Sequence, residues 1–242
     1  MMIKKVVFTG GACGGKSTII QTLKNEFKCV VAPEPAWIVF GLQQTLGFKF
    51  DTKDRQHLIF NLHLLFEYWA EESAKNNEII LMDRSIIDNS VFTKEEQYLC
   101  LMERYKIDKG KLIDNYSAVI YCESIAHFKP DEFLKMRPFA DIDKTKEFDL
   151  NLMEAYKSCN NLIVVNDDSL IQRINKVRNI LMNEFNKTSS MHEFIDEKSL
   201  SLLLEDSRLI MQKYHISNKI QDDIISPILK NQEDYLDNIY NL

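Results

Sequence analysis

Residues 10–18 read Gly-Gly-Ala-Cys-Gly-Gly-Lys-Ser-Thr, and this stretch decides the fold. It matches the phosphate-binding pattern G-x-x-x-x-G-K-[ST]. The fixed positions of the pattern are Gly10, Gly15, Lys16 and Ser17. A β-rich run precedes the pattern in residues 3–8, and apolar residues at helical spacing follow it in residues 17–27. Strand, loop and helix therefore occur in the order that the pattern requires.

The chemistry of such a loop predicts a nucleoside triphosphate as ligand. Glycines let consecutive backbone N–H groups face one anion, and the helix that follows adds the positive end of its dipole. We expect Lys16 to reach the β- and γ-phosphates and the Ser17 hydroxyl to bind Mg²⁺, so ATP and Mg²⁺ are the predicted cofactors. A plain glycine turn is the alternative, but a turn has no need of Lys-Ser at these positions. The predicted phosphate-binding residues are Gly10, Gly11, Ala12, Cys13, Gly14, Gly15, Lys16, Ser17 and Thr18.

Apolar runs and helical stretches alternate along the rest of the chain. Further strands are predicted at residues 28–32, 78–83, 118–122 and 162–165. Helices are predicted at residues 56–74, 93–105, 131–159 and 169–185. This alternation predicts an α/β fold of the P-loop NTPase type, with a parallel five-stranded sheet and helices on both faces. Ligands of such sheets lie beyond the carboxyl ends of the strands.

Charge divides the chain of 242 residues into two predicted domains. Residues 1–187, the predicted ATP-binding domain, carry a net charge of −1, whereas residues 188–242 carry −5. An acidic segment repels phosphate backbones, so we expect no nucleic-acid partner. The C-terminal extension contains two apolar-striped helical patterns, at residues 199–214 and 216–242, and Pro227 should bend or split the second. Docking of these helices on the main domain is favoured over pairing with a second copy, and the oligomeric state stays open.

Composition favours a cytoplasmic protein. The five cysteines show neither C-x-x-C nor metal-ligand spacing, which is typical of reduced thiols. The first residues run directly into the first strand, which leaves no room for a signal peptide. No apolar run approaches the ~20 residues of a membrane span, so no membrane partner is expected.

Acidic and basic residues follow two of the predicted strands. Glu34 lies between two prolines after the second strand, where it could accept a proton from a hydroxyl that attacks the γ-phosphate, although a surface turn would also suit it. Asp83 ends the third strand and is a candidate outer-shell partner of Mg²⁺. Arg84 offers a planar fork for an anion or a substrate oxygen, or forms a buried ion pair. Asp88 could polarise this arginine, hold the substrate or cap a helix.

Residues 8–18, followed by Glu34 and by Asp83-Arg84 with Asp88, resemble the NadR-type AAA domain family, whose best-known member carries ribosylnicotinamide kinase activity. The pairs Glu34-Pro35 and Asp83-Arg84-Ser85 are also similar to deoxynucleoside kinases, which have glutamate where Asp83 stands. The resemblance covers about residues 3–185. It implies a nucleoside-kinase-like fold and an ATP-dependent kinase.

The resemblance also implies further site residues. Members of the family carry a mobile lid with arginine, and Arg137 is the only arginine between residues 129 and 159. Asn61 lies in the helix region where deoxynucleoside kinases read a base with glutamine, although a buried amide satisfied within the core is the simpler interpretation. Three aromatic residues could stack on a base but have helical spacing that is typical of core positions; they are Trp37, Phe66 and Trp69.

Three classes of function remain. The first is an ATP-dependent kinase of a small-molecule phosphate acceptor, a nucleoside or nicotinamide riboside. The second is an ATPase or nucleotide-dependent switch that acts through a protein partner, and the third is a phosphate-ester binder without turnover. Glu34 favours the kinase because a switch needs no base for an alcohol, whereas the acidic helical extension favours the switch. A guanine-specifying Asn-Lys-x-Asp after a strand is missing, which argues against a regulatory GTPase.

Overall fold

The computed structural model describes residues 4–74, 78–185 and 197–230. Its centre is a five-stranded sheet in which every neighbouring pair of strands is parallel and the order is β2-β3-β1-β4-β5. The strands are β1 (Lys4–Thr9), β2 (Cys29–Ala32), β3 (Ile79–Asp83), β4 (Tyr116–Cys122) and β5 (Leu162–Val165). The predicted parallel five-stranded sheet is confirmed, with strand ends shifted by at most two residues.

Helices cover both faces of the sheet. They are α1 (Lys16–Leu23), α2 (Pro35–Leu46), α3 (Thr52–Ser73), α4 (Asn89–Phe92), α5 (Glu95–Arg104), α6 (Lys109–Asp114), α7 (Pro130–Met136), α8 (Ile142–Ala155), α9 (Leu170–Phe185), α10 (Glu197–Lys213) and α11 (Asn218–Lys230). The sequence analysis did not predict α2, because Pro33-Glu34-Pro35 was interpreted as the end of a strand. Pro35 instead occupies the first helical position, where its missing N–H costs nothing and its fixed φ suits the helix.

Two apolar clusters hold the layers together. On one face of the sheet, α1 and α9 pack on the strands through buried residues such as Ile19, Leu23 and Val177. On the other face lies α3, which is buried on most of its circumference as its apolar sequence predicts. Because parallel strands bury both faces, Val6, Val7 and Phe8 of β1 are all fully buried. The sheet therefore gives rigid support to the loops that follow the carboxyl ends of its strands.

The two C-terminal helices dock on the same chain. Both α10 and α11 contact α3, and their apolar residues Leu203, Ile210, Met211 and Ile225 join the cluster around that helix. This agrees with the predicted intramolecular docking. The helix α11 continues through Pro227, so the predicted split there is wrong. Residues 231–242 and the predicted domain boundary at 187–188 lie outside the described residues.

Within the described ranges, no helix combines the length and the apolar character needed to cross a membrane.

Candidate active site

A cavity of about 990 Å³ opens at the carboxyl edge of the sheet. The strand order explains what surrounds it, because the segments that follow β2, β3 and β1 stand side by side along this edge. Glu34 follows β2, Asp83 ends β3, and the phosphate loop follows β1. We call the part of the cavity lined by residues 11–18 and 168–173 the phosphate half, and the part lined by α2, α3 and α4 the acceptor half.

The phosphate loop is pressed against the end of β4. A Cβ atom at Gly10, whose φ is +113°, would lie 2.2 Å from the carbonyl oxygen of Cys122. A Cβ atom at Gly14 would lie 2.4 Å from the same oxygen. Only glycine fits at such distances, so these two positions are fixed by backbone packing. The backbone N–H groups of the loop are thereby held at the floor of the cavity.

Lys16 lies over this loop. Its Nζ donates to the carbonyl oxygens of Gly10, at 2.9 Å, and Gly11, at 2.7 Å. Burial, together with the nearby charge of Arg84, lowers the pKa of Lys16. Since an ammonium group has three donors, one remains for an anion in the cavity.

Ser17 and Asp83 together offer the oxygen ligands of a hard cation. The Ser17 Oγ donates to Asp83 Oδ2 at 2.8 Å. The other carboxylate oxygen, Asp83 Oδ1, is buried and has no hydrogen-bond partner among the described residues. Burial and the nearby Glu34 raise the pKa of Asp83, which a cation would counteract. A hydroxyl beside an unpaired carboxylate oxygen fits Mg²⁺.

Arg84 links the two other predicted carboxylates. Its Nε donates to Glu34 Oε1 at 2.9 Å, and its Nη1 donates to Asp88 Oδ1 at 2.9 Å. Burial would lower the pKa of Arg84, but Glu34 and Asp88 outweigh it and raise the pKa above its ordinary value. The arginine stays charged and is held at a φ of +71°, which the two ion pairs help to stabilise. Glu34 lines the cavity from the N-terminus of α2, with its carboxylate fixed by this fork.

Asp88 is an internal anchor. Besides Arg84, it accepts hydrogen bonds from the Thr9 hydroxyl at 2.6 Å, the Tyr156 hydroxyl at 2.6 Å and the Ser85 N–H at 3.2 Å. It is fully buried, makes no cap hydrogen bond to α4 and does not line the cavity. The contact with Arg84 brings Asp88 to the arginine that it is predicted to polarise, and that role stays a prediction. The geometry does not bring Asp88 to the substrate, because protein donors already use both oxygens.

Asn61, like Asp88, is a predicted substrate residue that does not line the cavity. The cavity is lined by Gln56, Ile59 and His63 of α3, spaced by three and four residues. Asn61 is two residues, roughly 200°, from both Ile59 and His63, so it points away from the cavity and lies beside Tyr105. This position does not favour the predicted contact between Asn61 and a substrate base, which stays a prediction.

The aromatic and lid residues divide between cavity and core. Trp37 lines the acceptor half, whereas Phe66 and Trp69 are buried in the core around α3. Arg137 directly follows α7 and lines the cavity together with Lys129. The structure thus brings Arg137 to the cavity, and its lid role stays a prediction.

Arg173 is a site residue that the sequence analysis missed. It lies in the first turn of α9 and is only 3% exposed. Its guanidinium donates to the carbonyl oxygens of Gly14 at 2.8 Å, Glu123 at 2.7 Å and Asp167 at 2.8 Å, and it covers the ring of Phe128. Arg173 therefore ties the phosphate loop to the ends of β4 and β5. Its position shortly after the carboxyl end of β5 was the signal that could have identified it.

Asp149 of α8 is a second missed residue. Its carboxylate accepts the N–H of Gly11 and, at 2.9 Å, the N–H of Ser124, and His127 Nε2 lies 3.0 Å from it. The neighbouring Phe148 stacks on Phe92 of α4 at a ring distance of 5.7 Å. One helix thus contacts the phosphate loop and the acceptor half with adjacent residues. In the sequence, Asp149 is one carboxylate among many in a charged stretch and gave no signal.

Solved structures with a similar fold include a deoxyadenosine kinase and a NadR protein. A deoxyadenosine kinase from M. mycoides, solved with the products dCMP and dCDP, is 18% identical, with a TM-score of 0.51 over 74% of this chain and 99% of that chain. A NadR protein in complex with NR is 14% identical, with a TM-score of 0.55 over 79% of this chain and 52% of that chain. At these identities the similarity shows a shared fold. A search of curated protein sequences found no significant match.

The family assignment rests on a longer stretch of sequence than any single motif. A family model described as AAA domain matches residues 5–173, from β1 to the first turn of α9. This stretch contains the phosphate loop, the Glu34–Arg84 pair and the loop-binding residues Asp149 and Arg173. The resemblance drawn from the motifs is confirmed, and the chain belongs to the AAA domain family.

Proposed function

We propose that the protein is an ATP-dependent kinase that transfers the γ-phosphoryl group to a hydroxyl of a small nucleoside-like acceptor, a nucleoside or nicotinamide riboside. One observation carries the proposal. The carboxylate of Glu34, fixed by Arg84, faces the same cavity as Lys16 and Ser17 of the phosphate loop. A phosphoryl donor and a base for the acceptor therefore share one cavity.

The phosphate half would bind ATP. Backbone N–H groups of the loop and the Lys16 ammonium bind the phosphate oxygens. Ser17 and Asp83 would hold Mg²⁺, which neutralises charge on the phosphates when bound. Arg137 and Lys129 line the same cavity and supply further positive charge.

Glu34 would act as the general base. It accepts the proton of the acceptor hydroxyl while the hydroxyl oxygen forms the new bond to the γ-phosphorus, and the bond to the β–γ bridging oxygen breaks to release ADP. Arg84 holds the carboxylate in place through the 2.9 Å contact from its Nε. The remaining guanidinium donor edge is available to an acceptor oxygen.

The acceptor half suits a flat ring without negative charge. Aromatic side chains line it, including Trp37, Phe40 and Phe92. Burial lowers the pKa of His63 to about 3, so its imidazole is neutral at physiological pH. Asn89 lines the cavity, is 2% exposed and has no partner for its Nδ2 within the described part of the chain. Aromatic faces with neutral hydrogen-bonding groups at the edge are what a nucleoside ring requires.

The alternative, an ATPase or switch that acts through a protein partner, drew its support from the acidic C-terminal helices. Most of the described apolar residues of these helices belong to the cluster around α3 in the same chain, although Leu209 is exposed. Their apolar stripe is thus occupied within the molecule, which weakens that argument.

A product assay separates the two functions. The protein is incubated with ATP, Mg²⁺ and a panel of nucleosides, nicotinamide riboside and nucleoside monophosphates, and both ADP and phosphorylated acceptor are measured. We expect a phosphorylated product from a nucleoside or from nicotinamide riboside, with ADP formed in equal amount, and no product with the Lys16→Ala variant. ADP without phosphorylated acceptor would instead support the ATPase.

A further inference from the structure

We infer that α10 and α11 form a C-terminal clamp that positions the acceptor half of the cavity, with Asp206 and Tyr214 as its positioning residues. The inference rests on the proposed function, since it assigns a role in acceptor binding. The clamp acts on what we call the acceptor wall: α2, α3 and the loop between them, residues 47–51.

The clamp lies behind the acceptor wall. One side of α3 presents Gln56, Ile59 and His63 to the cavity. The helices α10 and α11 contact α3 as well, and Leu203 and Met211 of α10 are fully buried in the cluster around it. An apolar helix face of this kind needs a partner to stay in place. The position of the cavity-lining residues of α3 therefore depends on the clamp.

The first polar contact is made at the middle of α10. Asp206, 6% exposed, accepts hydrogen bonds from Arg104 Nε at 2.6 Å and Nη2 at 2.7 Å, and from the Tyr105 hydroxyl at 2.6 Å. The same Tyr105 hydroxyl lies 2.9 Å from Nε2 of His57. His57 directly follows Gln56 of the cavity lining on α3. A hydrogen-bonded chain thus connects the clamp, the end of α5 and the acceptor wall.

The second contact is made just after α10. The Tyr214 hydroxyl accepts the N–H of Asp51 at 2.8 Å and lies 2.9 Å from Asp51 Oδ2 and 3.0 Å from Asp54 Oδ2. Asp51 is the N-cap of α3, because its side chain accepts the N–H of Asp54 at 2.9 Å. The ring of Tyr214 stacks on Phe48 at 5.6 Å and meets Phe50 edge-on at 4.6 Å. Tyr214 therefore fixes both the first turn of α3 and the loop from α2.

The phosphate half is held by other parts of the molecule. Its loop is fixed by Cys122 of β4, Asp149 of α8 and Arg173 of α9. Among the described residues, those of the clamp do not line the cavity. Weakening the clamp should therefore affect acceptor binding and spare ATP binding.

The test uses the full chain with two point variants. Asp206→Asn weakens the charge-assisted contacts to Arg104, and Tyr214→Phe removes the hydroxyl while it keeps the ring. The matched control is Asp222→Asn, which breaks the exposed pair between Arg208 and Asp222, 3.3 Å apart inside the clamp. Calorimetry measures the affinity for the non-hydrolysable analogue AMP-PNP with Mg²⁺ and for each nucleoside of the panel, and steady-state assays give KM and kcat for the acceptor that is turned over.

We expect acceptor affinity to fall and acceptor KM to rise by about tenfold in each clamp variant, the effect of one lost hydrogen bond to a charged group. AMP-PNP affinity should stay within about twofold of the wild type, as should every value for the control. Equal losses of AMP-PNP and acceptor affinity would mean that the clamp only stabilises the whole protein, which would overturn the inference. Unchanged acceptor affinity in both clamp variants would overturn it as well. Nucleoside binding without a phosphorylated product would refute the kinase, and the affinities of the clamp variants for the nucleoside would still test the clamp. If the wild type bound no nucleoside, both the kinase and the clamp would be refuted.

Discussion

The two halves of the cavity differ in how they are built. The phosphate half consists of backbone groups and strand ends, and Gly10 and Gly14 admit no side chain because the carbonyl of Cys122 lies against them. The acceptor half consists of side chains on α2, α3 and α4, separated along the chain and brought together by packing. A backbone site demands particular residues at fixed spacing, whereas a side-chain site tolerates many combinations. The first half therefore has a sequence motif and the second does not.

This difference predicts that the two halves can be damaged separately. Contacts of the phosphate loop go to β4, α8 and α9, whereas the acceptor wall is held by α10 and α11. Arg84 and Asp83 lie between the halves. Variants in one half should change the binding of one ligand, and variants between them should change turnover.

The largest expected effect is that of Lys16→Ala. Removal of the ammonium should weaken ATP binding by at least ~10²-fold, because a charge-assisted contact to the phosphates is lost. Calorimetry with AMP-PNP and Mg²⁺ measures it, and Lys28→Ala at an exposed position serves as the control. Unchanged AMP-PNP affinity would contradict the assignment of the phosphate half, because ATP would then bind elsewhere.

The second largest effect is expected for Glu34→Gln, as a loss of kcat. The amide keeps an oxygen for Arg84 Nε but cannot take a proton, so kcat should fall by ~10²–10⁴-fold with little change in ATP affinity. Steady-state kinetics with the acceptor from the panel measures the change. Wild-type turnover in this variant would exclude Glu34 as the base.

Asp149→Asn should have a smaller effect, which lowers ATP affinity and spares acceptor affinity. The amide can no longer accept from both Gly11 and Ser124, so one buried N–H loses its partner and ATP affinity should fall by about tenfold. The control is Asp141→Asn, which alters the N-cap of the same helix away from the loop. If acceptor affinity fell as strongly as ATP affinity, α8 would couple the two halves and the separation would be wrong.

His63→Gln tests the neutral character of the acceptor half through stability. Because the folded pKa of about 3 lies below the ordinary value, the unfolded chain takes up the proton first as the pH falls. The free energy of unfolding of the wild type should therefore decrease by about 2 kcal/mol between pH 7 and pH 5 through this group alone. Chemical denaturation at several pH values should show that the free energy of unfolding falls less steeply with pH in the variant. Identical slopes would mean that folding does not lower the pKa of His63.

The sequence predicted the sheet and the phosphate loop because both depend on local patterns. Continuous apolar runs produce buried parallel strands, and the loop needs its glycines. Helix α2 was missed because Pro33-Glu34-Pro35 is compatible with both a strand end and a helix start. Asn61 was placed at the site because the exact rotation of a helix that is apolar on most sides cannot be read from its pattern. Asp149 was missed because it contacts backbone groups far away in the chain, which leaves no local signal. Arg173 was missed although its position shortly after β5 places it at the carboxyl edge of the sheet.

Arg173 joins carbonyl groups from three segments and so fixes the phosphate loop through contacts within the protein. A loop that is already fixed loses little conformational entropy when a ligand arrives. Trp37 and Phe40, by contrast, are 60% and 46% exposed in the acceptor half, and an acceptor that covers them removes apolar surface from water. Burial of apolar surface makes the heat-capacity change of binding negative. Nucleotide binding should therefore show enthalpies that vary little with temperature, and acceptor binding should show enthalpies that become steadily more favourable on warming.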